Sequence, residues 1–134
     1  LRKFRAATRC ISRQYSTFTV DGGLHVQGDL VTGEAAADLG GLILAWHAFQ
    51  SLPQDPSASA ESAEFTPAQE FFLAYAHSWA GSTRPEQARE QVTTDPHPPS
   101  ENRTNATLAN LSAFREAFAM APGPMVKEPR CVIW

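Results

Sequence analysis

The stretch GEAAADLGGLILAWHAFQ, Gly33 to Gln50, decides the fold. Alanine is the best helix former. Leu39, Leu42, Ile43, Trp46 and Phe49 recur at steps of three and four, the stripe of an amphipathic helix from about Glu34 to Gln50. Glu34 and Asp38 lie four residues apart, about 400° of rotation and roughly 6 Å of rise, so both carboxylates share one face. No cation stands at positions 30, 31, 37, 41 or 42 to pair with them. Two readings are open at this point: two solvated acids on a surface helix, or a metal ligand beside a partner that orients the site. Gly40 and Gly41 interrupt the stripe at a cost of about 1 kcal/mol each relative to alanine. That implies close approach of another backbone, or of a metal site, to this face.

The chain has 134 residues, of which 43% are apolar and 19% charged. This suits one domain or part of a larger one. A net charge of −3 and a pI near 5.8 give no support to non-specific nucleic-acid binding, which needs a strongly basic face. Cations cluster at the start, at Arg2, Lys3, Arg5, Arg9 and Arg13. The segment is too polar for a signal peptide and reads as a basic helix face. No apolar run approaches the ~20 residues that would cross a bilayer. Cys10 and Cys131 match no zinc or redox spacing, which leaves two free thiols or one bridge between the ends.

The pattern predicts a helix from about Arg2 to Tyr15. A Gly- and Asp-rich ordered loop follows, from Thr19 to Gly33, with a short extended piece near Leu24 to Val26. After the central helix, residues 51–64 read as a flexible polar linker. Thr66, Pro67 and Gln69 form a capping box that opens a helix ending near Ala80, with Gly81 closing it. A short helix is expected over Pro85 to Thr93 and a last one over Ser112 to Phe118. The segment TDPHPPSENRTNA between them is expected to be irregular, because its prolines block regular structure. Strand signals are sparse, and the class is mainly α.

These segments together resemble one family. GEAAADLGG is similar to the Gly-Glu-Asn-x-x-Asp-x-Gly-Gly motif of neprilysin-type zinc metalloendopeptidases, which include the endothelin-converting enzymes. FTPAQEFFLAYAHSWAGSTRPEQAREQVTTDPHPP resembles the segment that follows in that family: a capped aromatic helix, a Trp, Arg-Pro-Glu, then Thr-Asp-x-His-x-Pro. The tail CVIW resembles the family's Cys-Arg-x-Trp terminus, so the likeness covers nearly the whole chain in order.

The resemblance implies a fold, the C-terminal helical part of a thermolysin-like (gluzincin) catalytic domain. It also implies chemistry: peptide-bond hydrolysis by a water that zinc activates. Glu34 matches the third zinc ligand, since two His and one Glu with an open position make a catalytic site. Asp38 matches the acid that accepts a hydrogen bond from a zinc-binding imidazole. His97 matches a donor to the oxyanion of the tetrahedral intermediate. Arg103 matches the arginine that holds a substrate carbonyl beyond the cleaved bond, and Trp79 a wall of the pocket for the residue after it. Cys10 and Cys131 match bonded positions, which implies an extracytoplasmic setting: secreted, periplasmic or on an ectodomain.

Departures are also informative. Ala35 replaces the motif's Asn, Ser78 a more apolar pocket residue, and Val132 the terminal Arg; Ala80 and Met120 stand where vertebrate members have cysteines. The last two imply a bacterial-type or simplified member. No H-E-x-x-H occurs, since His25, His47, His77 and His97 each lack a His four residues away. In the family that helix supplies two ligands and the general base, and it precedes this segment. The chain therefore reads as residues 1–134 of a catalytic domain whose N-terminal remainder completes the site, inactive alone, with peptides as substrates. The rival reading is a non-catalytic helical interaction module derived from such a peptidase; H-E-x-x-H upstream in the parent frame discriminates the two. His25, His47 and His77 read as structural or exposed. The sequons at Asn102, Asn105 and Asn110 read as composition, because a glycan at the first would crowd Arg103.

Overall fold

A computed structural model of the chain describes residues 2–53, 64–126 and 128–133. Ten residues of the expected linker, 54–63, lie outside the described set. The described fold is mainly α: α1 (Arg2–Tyr15), α2 (Gly28–Ser51), α3 (Pro67–Ser78), α4 (Pro85–Thr94), α5 (Ser100–Ala109) and α6 (Ser112–Ala117). A small antiparallel hairpin joins α1 to α2. Thr19 pairs with His25 and Val20 with Leu24, as β1 (Thr19–Val20) and β2 (Leu24–His25). The hairpin turns through Gly22 and Gly23 at φ of 80° and 76°, a region glycine enters without steric cost.

Two helix starts differ from expectation. The central helix begins at Gly28, inside what reads as loop. Asp29 in its first turn complements the helix dipole, and the Thr32 hydroxyl donates to the Gly28 carbonyl at 2.6 Å. The proline-rich segment is not irregular to its end. Pro99 accepts from the Asn102 and Arg103 amides at 2.8 and 3.0 Å, and α5 grows from it. Proline lacks a donor, but before a first turn none is missed. The capping box of α3 forms as expected, although that helix stops at Ser78, with Trp79 and not Gly81 at its close.

The core gathers one stripe of each helix. Val31, Ala35, Leu39 and Leu42 of α2 meet Ile11 and Tyr15 of α1, Phe72 of α3, Val92 of α4, and Ala106 and Leu108 of α5. Full burial of a side chain such as Phe72 contributes about 1.5–3 kcal/mol. Trp46 stacks on Phe72 at 4.9 Å, and Phe72 meets Phe114 edge-on, tying α2 to α3 and α6.

Gly28 admits a close neighbour, whereas Gly41 of the expected pair does not. A Cβ at Gly28 would fall 1.9 Å from the Ser12 carbonyl oxygen of α1, whereas one at Gly41 meets nothing within 4 Å. Gly41 lies on the outer side of α2 with Gly33, Ala37, Leu44 and His47, all exposed. Gly28 thus sets how near α1 and α2 run.

The tail is fastened to the same layer. Cys10 and Cys131 form a disulfide with Cα atoms 5.5 Å apart. Buried Asn110 accepts from the Cys131 amide at 2.8 Å and donates to the Gln14 side chain at 2.8 Å and to the Ala106 carbonyl at 2.9 Å.

Gly28→Ala should destabilise the chain by about 1–3 kcal/mol, as overpacking against unyielding backbone does; an unchanged Tm would show that α1 and α2 separate freely there. Cys10→Ser with Cys131→Ser opens a closure spanning 121 residues. The chain-entropy model sets its upper effect at about 4–5 kcal/mol, read as the denaturant midpoint with and without reductant.

Candidate active site

Five of the residues singled out in the sequence converge where α5 crosses the N-terminal half of α2. Arg103 sits in the second turn of α5 and reaches back to α2. Its Nε and Nη2 each donate to a different oxygen of Asp38, both at 2.6 Å, and Nη2 lies 3.5 Å from Glu34 Oε2. The pair is nearly buried, with Arg103 and Asp38 side chains only 13% and 10% exposed. A two-point fork of this kind is among the stronger hydrogen-bonded pairs. The cation missing from α2's own surface is thus supplied by another helix, and Asp38 is not a solvated acid. Arg103 is held charged still more firmly than usual, first by its hydrogen bonds to Asp38, then by that carboxylate's charge.

Glu34 is placed differently. Its side chain is 40% exposed, and Arg103 Nη2 and His97 Nε2 each stand 3.5 Å from its Oε2. Its oxygens are only lightly committed.

His97 stands in the link between α4 and α5. Asp95 Oδ1 accepts from its Nδ1 at 2.7 Å and from its backbone N–H at 2.9 Å. These two bonds, the backbone one first, hold the Asp95 carboxyl below its ordinary value. The Gln91 amide donates to the His97 carbonyl at 3.1 Å. With Nδ1–H given to Asp95, Nε2 is the nitrogen turned toward Glu34; a proton there makes an imidazolium, a charged donor.

Trp79 completes the group, with Arg103 Cζ 4.0 Å above its ring. Its indole N–H is buried with no hydrogen-bond partner among the described residues. Behind the arginine, Tyr75 donates to the Arg103 carbonyl at 3.2 Å and Tyr15 to the Asn102 carbonyl at 3.3 Å. Burial raises the pKa of both phenols. Asp95, Tyr75 and Tyr15 are absent from the residues picked by sequence. Asp95 was open to view in Thr-Asp-x-His, whereas nothing local marks the tyrosines.

The other histidines stand apart from this group. His25 donates from Nδ1 to the Ser16 carbonyl at 3.0 Å, and His47 and His77 are exposed. Ala35, in the place of the motif's Asn, is buried in the core at 1% exposure. Asn102 and Asn110 are buried, which leaves no room for a glycan on either.

The model of Peptidase family M13 matches residues 1–133. The chain belongs to this family. Neprilysin-21 of Caenorhabditis elegans is 37% identical over 98% of the chain, and human endothelin-converting enzyme 1 is also 37% identical over 98%. The chain spans 18% and 17% of the length of these two relatives. Among solved structures, the Mycobacterium tuberculosis zinc metalloprotease ZMP1 in complex with an inhibitor superposes with a TM-score of 0.84. It is 30% identical, over 99% of this chain and 22% of that one. A Haemonchus galactose-containing glycoprotein complex superposes at 0.86 with 26% identity, over 98% of this chain and 23% of that one.

Membership of the M13 family implies zinc. Among the described residues no three His, Cys, Asp or Glu side chains gather as a metal site. The residues present fit zinc as a partial set: Glu34 offers a half-exposed carboxylate with weak competing contacts, one ligand where a catalytic site takes three.

The Asp95 contact predicts a pH response with a definite sign. A depressed carboxyl contributes order that is complete above its unfolded value and lost as pH falls through the lower folded value. The His97 amide resonance should therefore show no Asp95-linked change until pH drops below the ordinary 3.8. Asp95→Asn should abolish that low-pH transition, and a wild-type transition in this variant would disprove the assignment.

Proposed function

We propose that this chain is the C-terminal part of the catalytic domain of a zinc metalloendopeptidase, supplying the third zinc ligand and the groups that hold the peptide substrate. The observation that carries the reading is the meeting of Glu34, Asp38, His97 and Arg103, from three separate stretches of chain, in one linked group: Arg103 contacts both acids and His97 contacts Glu34. Bound zinc would supply Lewis acidity and an activated water. The two remaining ligands and the general base belong to an N-terminal remainder, so the chain alone is inactive.

Each residue then has a task. Glu34 would hold the metal through its carboxylate. Asp38 spends one lone pair of each oxygen on Arg103 and retains others, enough to accept from a zinc-binding imidazole and orient it. His97, backed by Asp95, donates from Nε2 to the oxyanion that forms on the substrate carbonyl. Arg103 gives Nε and Nη2 to the acids; Nη1 bonds no described residue, and its two N–H groups hold a backbone carbonyl of the peptide. Trp79 lies at the edge of the pocket for the residue after the cleaved bond.

The outer face of α2 supports a further part of the reading. This helix is apolar on more than its inner side, and such helices are covered in complete proteins. A groove of about 440 Å³ lined by Ala37, Gly40, Gly41, Ile43, Leu44 and His47 stands open beside the Glu34 turn. The N-terminal remainder packs there and brings its ligands to Glu34. The disulfide favours an extracytoplasmic setting. No described helix is long and apolar enough to cross a membrane.

Glu34→Gln in the full-length protein tests the reading. Bound zinc should fall well below one ion per molecule and peptidase activity should drop by orders of magnitude, with Tm nearly unchanged between the metal-free forms because Glu34 makes only weak contacts. Wild-type zinc content and activity would overturn it.

A further inference from the structure

Arg103 is fixed along one edge only by the acids. Nε and Nη2 bond Asp38, and Glu34 lies beside the same Nη2, so the remaining corner, Nη1, would be free to swing about that edge. What stops the swing is the face of Trp79, 4.0 Å beneath Cζ. Trp79 follows Tyr75 by one helical turn, and side chains so spaced share a face. Tyr75 bonds the Arg103 carbonyl at 3.2 Å while Trp79 carries the guanidinium. One face of α3 therefore holds both ends of this arginine.

The indole keeps that place although its buried N–H finds no well-formed hydrogen bond among the described residues, a burden a phenylalanine would not bear. The ring that gives a cation the strongest face is tryptophan. We infer that Trp79 is a positioning residue: it acts through Arg103, setting the plane in which Nη1 meets the substrate, in place of acting chiefly as a wall against the substrate side chain. The inference rests on the reading of Arg103 as a substrate-binding group.

The experiment uses the full-length enzyme and two peptides that differ only in the residue after the cleaved bond. Arg103→Ala is measured first: wild-type kinetics there would overturn the functional reading itself, a result separate from those that follow. Given a loss in Arg103→Ala, Trp79→Leu should lower kcat/KM by about 2- to 30-fold, the range one cation–π contact covers, mainly through KM and equally for both peptides. Trp79→Phe should restore most of the loss. In the Arg103→Ala background Trp79→Leu should cost nothing more. A loss that differs between the peptides, or persists without Arg103, overturns the inference. If Trp79→Leu fails to fold, fluorinated tryptophan at position 79 keeps the shape and weakens the ring's field: KM should climb with fluorination, and a flat response overturns the inference.

Discussion

The hydrogen-bonded pair between Asp38 and Arg103 joins two helices that the chain separates by 65 residues. It lies at the edge of the core, where neither group is free to exchange its partner for water. Removing one member of a buried pair costs about 3–5 kcal/mol, because the other is left charged and unpaired. The pair therefore fixes how α5 meets α2, and everything near it inherits that geometry. His97 lies beside Glu34 in the link that runs into α5, which starts at Ser100 just after Pro99 and turns Arg103 inward. Trp79 finds a cation above its ring because α3 packs on the same helix. On the proposed reading, stability and chemistry draw on the same two side chains, so selection acting on one acts on both.

The division of labour on α2 follows from its register. Val31, Ala35, Leu39 and Leu42 point into the core. Glu34 and Asp38 stand on the flank, one turn apart, at different depths. The deeper acid is saturated by an arginine fork, whereas the shallower one keeps open lone pairs. One helix thus offers a committed carboxylate and an available one without a change of residue class or fold.

Much of this was legible in the sequence, for physical reasons. The Glu34–Asp38 spacing and the apolar stripe are local properties of one helix, and the Thr66 capping box is a local hydrogen-bond exchange. The ordered motifs carried the family. Three things were not legible. Arg103 as partner to Asp38 required the path of the chain, and the prolines before it disguise the start of α5. The glycine that matters for packing is Gly28, which reads as a turn residue because its neighbour, the Ser12 carbonyl, lies on another helix. Gly41 reads as inward because it stands between Leu39 and Leu42 of the apolar stripe, yet it faces outward.

The bond between Cys10 and Cys131 has a practical consequence for handling the protein. It closes a ring that includes nearly every residue described. A protease that cuts once anywhere within this ring changes the covalent sequence without releasing a fragment. The nicked molecule keeps its mass, apart from one added water, until a reductant is present. Intactness judged on a non-reducing gel therefore says nothing about whether the backbone between α2 and α3 is whole.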